Sequence, residues 1–197
     1  EAATHLSHAL ALLSSLPPAV MREPLELALQ TALGVALSGI GGYSAADAVS
    51  AFERARVLVR SVGSQEGVGA IFDGLFINYT NRGDLTSSME IGREFLAIAR
   101  QSGDALSESV ANRMLGVVYR VLGQYPISRG YCERAVALST QRADTTQAWR
   151  QIHDPGVAAR CNLGIITWHM GEVERSLSIE QEATARAAEI GHVNTLG

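Results

Sequence analysis

Apolar residues recur along this chain at helical spacing. Leu6, Ala9, Leu10 and Leu13 fall at i, i+3, i+4 and i+7; Ala48, Phe52, Ala55 and Val59 form a second such face, and Phe72, Leu75, Phe76 and Tyr79 a third. Each set lies along one side of a 3.6-residue helix and predicts a helix with one buried stripe. No run alternates with period two, and no Asn-Gly pair joins alternating runs, so the pattern predicts no strands. The breaks between apolar runs are helix stops: Pro17-Pro18, Gly41-Gly42, Gly83-Asp84, Gly103-Asp104, Gly123 and Gly171. Glycine after a helix takes the left-handed conformation that closes the last turn at little cost.

The helical runs resemble one another. A Leu-Gly pair late in a first helix, a bulky residue three positions on and a turn glycine precede a second helix with small, bulky and small positions. The first unit reads Leu33-Gly34, Leu37, Gly41, then Ala48, Phe52 and Ala55, with two extra residues in its turn. The third reads Leu115-Gly116, Tyr119, Gly123, then Ser128, Cys132 and Ala135; the fourth reads Leu163-Gly164, Thr167, Gly171, then Ser176, Glu180 and Ala183. The second is looser, with Leu75-Phe76, Tyr79, Gly83, Ser88, Gly92 and Phe95. This order resembles the tetratricopeptide motif, in which helical hairpins bury their apolar faces only by stacking. The small residues at 34, 116 and 164 let the paired helices approach, and the bulky residue one turn later is expected to fill the groove beside them. The turn glycines at 41, 83, 123 and 171 recur at a longer step than the roughly 34-residue motif, which predicts longer helices and an insert.

The predicted fold is all-α, a right-handed α-solenoid of about nine helices. Residues 1–16 form an orphan second helix, with units at 22–63, 66–102, 104–140 and 154–190. An insert spans 141–153, and 191–197 begin a further helix. Both ends lack a polar capping unit, so the segment is expected to come from a longer array, with exposed ends able to pair two chains as a homodimer. Glu1 reads as the edge of such a segment.

Composition narrows the function classes. The 197 residues are 47% hydrophobic and 18% charged, with a net charge of −4 and no basic stripe, which argues against nucleic acid as a direct ligand. Cys132 and Cys161 sit inside helical patterns, away from any CxxC, which fits a reduced, cytoplasmic compartment. The first residues lack the form of a signal peptide, and no apolar run approaches the length expected of a membrane span.

Several longer segments carry a more specific resemblance. They are Leu16-Pro17-Pro18 with Arg22-Glu23-Pro24-Leu25-Glu26-Leu27-Ala28-Leu29-Gln30, Gly42-Tyr43-Ser44-Ala45 with Ala51-Phe52-Glu53-Arg54-Ala55, and His153-Asp154-Pro155-Gly156-Val157 with Trp168. Together they resemble the helical-repeat region of bacterial adenylate/guanylate cyclase-like proteins that carry a STAND-type ATPase module. The resemblance implies a regulatory arm that senses a partner and biases the ATPase. The same repeats also follow ATPase modules in transcription activators, which leaves a ligand- or peptide-sensing domain of such an activator as the alternative. Neither nucleotide site lies in this chain, since there is no G-x-x-x-x-G-K-[ST].

No constellation of residues predicts catalysis, a metal or a cofactor. His5 and His8 stand at i, i+3 without a third ligand, and His153, His169 and His192 fall at or near predicted helix ends. Ser107 and Ser109 have no nucleophile context, and the two cysteines read as small buried hydrophobes. Asp154-Pro155 reads as a helix start, Asp capping and Pro opening the first turn. Glu53-Arg54-Ala55-Arg56 and Glu172-Val173-Glu174-Arg175 read as solvated faces. The candidate surface is the concave side, lined by first helices: Asp73, Ile77 and Asn81; Arg113, Val117 and Arg120; and Asn162, Ile165, Trp168 and His169. Arginines, Asn and Trp there suit an acidic or C-terminal peptide, or a neighbouring domain of the same protein.

Overall fold

The computed structural model describes residues 1–15, 22–42, 45–63, 67–139 and 154–191. Among them it has nine α-helices and no strand: α1 (Ala2–Ser15), α2 (Arg22–Gly41), α3 (Ala46–Val62), α4 (Val68–Asn81), α5 (Leu85–Ser102), α6 (Ala105–Val121), α7 (Tyr125–Ser139), α8 (Pro155–His169) and α9 (Val173–Ile190). The Pro17-Pro18 stop, the 141–153 insert and residues 192–197 of the predicted further helix, with His153 and His192, lie outside the described residues.

One turn recurs. After α4, Gly83 has φ of 75°, its N–H donates to Thr80 O, and the Asp84 N–H donates to Tyr79 O. The same pair of bonds closes α6, from Gly123 to Arg120 O and Gln124 to Tyr119 O, and α8, from Gly171 to Trp168 O and Glu172 to Thr167 O. This is the Schellman arrangement, in which two otherwise orphaned carbonyls are satisfied by one left-handed glycine. The residue after the glycine also opens the next helix: the carbonyls of Asp84, Gln124 and Glu172 accept from the N–H groups of Ser88, Ser128 and Ser176.

The chain divides into two compact units, Glu1–Ile91 and Gly92–Gly197. In the first, α2 packs on α1, α3 and α4, and α3 on α4. Its core centres on Phe52, 1% exposed, which is sandwiched between two glycines. A Cβ on Gly34 would come within 2.6 Å of one edge of that ring, and a Cβ on Gly74 would overlap the other. The groove filler is therefore a residue of the second helix, not the residue one turn after the glycine. Tyr79, one turn after Phe76 in the second repeat, reaches back to donate its hydroxyl to Glu53 at 2.9 Å. Burial first, then this bond, pushes the Tyr79 phenol up to about 12.

In the second unit, α6 pairs with α7, α8 with α9, and α8 also packs on α6 and α7. Cys132 lies over Gly116, where a Cβ would come within 2.5 Å of its Sγ, and the Glu180 carboxylate lies over Gly164. Hydroxyls stitch both hairpins: Ser128 Oγ donates to Gly116 O at 2.6 Å and Ser176 Oγ to Gly164 O at 2.8 Å. Cys132, Leu163, Ile166 and Ile179 form one core cluster, with Tyr125 and Val136 against it; Val157, Ala183 and Ala187 form another.

Two readings change. The charged runs are not simply solvated. Arg54 pairs with Glu26 of the neighbouring α2 at 2.6 Å, and Arg56 with Glu53, one turn earlier on α3 itself, at 3.1 Å. Glu172 and Arg175 join Arg129 and Glu133 of α7 in a ring of four charges. The expectation about membranes also needs amending, since α2 is long and apolar enough by length and composition to cross one. In this structure it packs on α1, α3 and α4 and buries only Leu27, Leu33 and Gly34.

Candidate functional site

Asp154 shows how the sequence places the start of α8. Its carboxylate accepts from Val157 N–H at 2.8 Å, with Pro155 at the first helical position. What the local pattern did not reveal is Arg186 on α9, which donates to both carboxylate oxygens at 2.9 and 3.2 Å. Burial pushes the Asp154 carboxyl up, but the Arg186 and Val157 hydrogen bonds more than offset this and hold it below its ordinary value. The cap thus fixes α8 against α9 from its first turn.

Along α6 and α8 lie seven of the ten candidate residues. Arg113 and Val117 are buried, at 7% and 8% exposed, while Arg120 is half-buried with its Nε in contact with no hydrogen-bond acceptor among the described residues. On α8, the Asn162 amide donates to Ala158 O at 2.9 Å, and Ile165 and Trp168 stand exposed at 39% and 57%. His169 is exposed and stacks on Tyr125 with ring centroids 4.9 Å apart. Val121, exposed at the end of α6, adds a further apolar residue. The two helices that carry these residues, α6 and α8, pack on one another.

Charge on these two helices runs against that of the whole chain. Between Pro155 and His169 there is no acidic residue, and the single carboxylate of α6, Glu108, is engaged by Arg100 and Arg134. Arg160 is held by Gly156 O and Glu182. Glu108 is thus the one carboxylate in the sequences of these two helices.

The other three candidates belong to α4 in the first unit. Asp73 is buried, Ile77 half-buried, and Asn81 exposed with its amide donating to Ile77 O at 2.8 Å. That unit also holds a cleft of about 360 Å³ between α1, α2 and α3, lined by Ser7, Gln30, Leu33, Leu37, Asp47, Ser50 and Ala51. No sequence pattern singled it out, because its lining is spread over three helices.

The cysteines are poor nucleophiles. Burial pushes the Cys132 thiol up to about 12, and burial followed by the charge of Glu180 raises Cys161. Among the described residues no three His, Cys, Asp or Glu side chains are placed to share a metal ion.

Two crystal structures from Podosopora anserina, of the nearly identical TPR-like repeats of a kinesin light chain-like protein, match this architecture. One has a TM-score of 0.66 at 18% identity, covering 95% of this chain and 85% of that one. The other has a TM-score of 0.64 at 17% identity, covering 95% and 86%. The fold is a tetratricopeptide-like repeat array. No protein-family model matches the chain, and no curated protein is similar to it in sequence. At this level of identity the likeness establishes the hairpin repeats and leaves the partner to be argued from the surface itself.

Proposed function

We propose that this chain is a non-catalytic protein-interaction and regulatory repeat domain of a bacterial, cytoplasmic cyclase/ATPase-type signalling protein, and that it holds an acidic partner segment along α6 and α8. The observation that carries the partner class is Trp168 standing exposed on α8, a helix with an arginine and no carboxylate that packs on α6, where the half-buried Arg120 lies. An extended or helical peptide would bring a carboxylate to Arg120 and an apolar side chain to Trp168 and Ile165. Charge-assisted pairing supplies specificity, and the aromatic supplies contact area at low entropic cost. The signalling context rests on the resemblance of the segments around Arg22–Gln30, Ala51–Ala55 and His153–Val157 to the repeat regions of such proteins.

The test is fluorescence anisotropy with labelled peptides that alternate Glu and Leu, against matched peptides with Lys for Glu. The acidic series binds and the basic series does not. Arg120→Glu weakens binding by about tenfold or more, as charge reversal within a contact does. Unchanged affinity in both Arg120→Glu and Trp168→Ala would place the partner elsewhere. The reading frame on either side tests the context separately: cyclase and ATPase modules support it, and a DNA-binding module replaces it with the activator reading.

A further inference from the structure

The ring of charges between the third and fourth hairpins does something the core beneath it does not. Arg129 Nε lies 2.9 Å from Glu133 Oε1 and its Nη1 2.7 Å from Glu172 Oε1; Arg175 Nη2 lies 3.0 Å from the same Glu133 oxygen and its Nη1 3.2 Å from Glu172 Oε2. Each arginine thus touches both glutamates, and each glutamate both arginines. Arg129 and Glu133 are one turn apart on α7, whereas Glu172 and Arg175 stand at the corner where α8 gives way to α9. Two of the four contacts cross from one hairpin to the other.

We propose that this ring is an ionic latch that sets the spacing of α6 and α8, and so regulates the partner face those helices form; it rests on the reading of that face given above. The argument is one of division of labour. The apolar cluster of Cys132, Leu163, Ile166 and Ile179 holds α7 against α8 and α9, but dispersion and burial are non-directional and permit sliding and tilting. A closed ring of alternating charges fixes both distance and angle, because moving either hairpin breaks two bonds together. All four side chains are partly exposed, from 25% for Arg129 to 44% for Arg175, so ions in solution reach them. Screening acts on such pairs and leaves buried apolar contacts in place. Where α7 moves, α6 moves with it, since Ser128 and Ser109 tie the pair by bonds to Gly116 O and Ala135 O. The latch therefore acts on α6 through α7 as well as on the α8–α9 hairpin. It also sits where a partner or a neighbouring domain bearing charged groups could compete for its members.

The experiment measures the spacing directly. Spin labels go on Leu122→Cys and Met170→Cys, exposed residues that follow the last turns of α6 and α8, with Cys161→Ser and the buried Cys132 left in place. Electron–electron distance distributions are recorded at low and high NaCl for the wild-type ring. They are compared with a variant in which Arg129, Glu133, Glu172 and Arg175 are all Gln, which leaves net charge unchanged. The expected result is a narrow distribution for the wild-type ring that broadens in salt, and a broad, salt-insensitive one for the neutral ring. At fixed salt the neutral ring also weakens acidic-peptide binding by about threefold, the scale of a small exposed ion network. Identical distributions for the two rings overturn the latch, whatever the peptide does. Altered spacing with unaltered peptide affinity overturns its regulatory role. If no acidic peptide binds the wild-type chain, the partner reading fails while the distances still decide the latch.

Discussion

The hairpin of α2 and α3 and the hairpins of α6–α7 and α8–α9 carry the same glycine in the same register, yet they close over it differently. In the first unit an aromatic ring fills the space, with Gly34 on one edge and Gly74 on the other and Ala48 completing the seam. In the second unit the fillers are a thiol and a carboxylate, and hydroxyls of Ser128 and Ser176 bond across to the glycine carbonyls. The first seam is apolar and depends on volume; the second is polar and depends on geometry. A repeat can thus keep one backbone while changing the kind of interaction that holds it, and the two kinds fail in different ways.

Breaking the apolar seam should have the largest effect. Phe52→Ala removes a ring that is 1% exposed and leaves its space between two helices, costing about 4 kcal/mol in chemical denaturation. Next comes overfilling of the polar seam. Gly116→Val places carbon against Cys132 Sγ and, at 3.4 Å, against Ser128 O, which is backbone and yields little; a loss of about 3 kcal/mol is expected.

Asp154→Asn should cost about 2 kcal/mol, since it leaves Arg186 without its charge partner while sparing the cap. Acid titration sharpens this prediction. A carboxyl held below its ordinary value contributes its full stabilisation above about pH 4 and loses it as pH falls through the lowered value. The wild-type chain should therefore lose the advantage over Asp154→Asn in acid, read as converging melting temperatures. Smallest of all, Ser128→Ala should cost about 1 kcal/mol, the worth of one buried hydrogen bond, and Ala48→Ser in the first unit should not return it. Equal effects of the two substitutions would erase the distinction between the seams.

Much of this was legible in the sequence. The turn glycines and the Leu-Gly register specify the hairpins because both are local, and a left-handed residue or a missing Cβ leaves its mark within a few positions. Asp154 was legible as a cap for the same reason. Its pairing with Arg186 was not, because a contact across 32 residues leaves no periodic trace. The charge ring was hidden on the same ground: Glu172 to Arg175 looks like an ordinary solvated helix face, and its bonds to Arg129 and Glu133 span about 40 residues. Of the candidate surface, Trp168 and Ile165 stand exposed, while Arg113 and Val117 are buried, at 7% and 8% exposed. Periodicity assigns a residue to a face but not the depth at which a neighbouring helix covers it.

The recurring turn has a consequence for how such a chain can change. Because Gly83, Gly123 and Gly171 satisfy the helix end through backbone bonds alone, nothing is asked of the side chains beside them beyond the glycine. Arg82, Leu122 and Met170 occupy the same place in successive turns and share no chemistry. A hairpin can then be copied whole, with its joint intact, and its rim rewritten for a new neighbour at no cost to the joint. Lineages of such arrays would lengthen by duplication and diversify first at these corners.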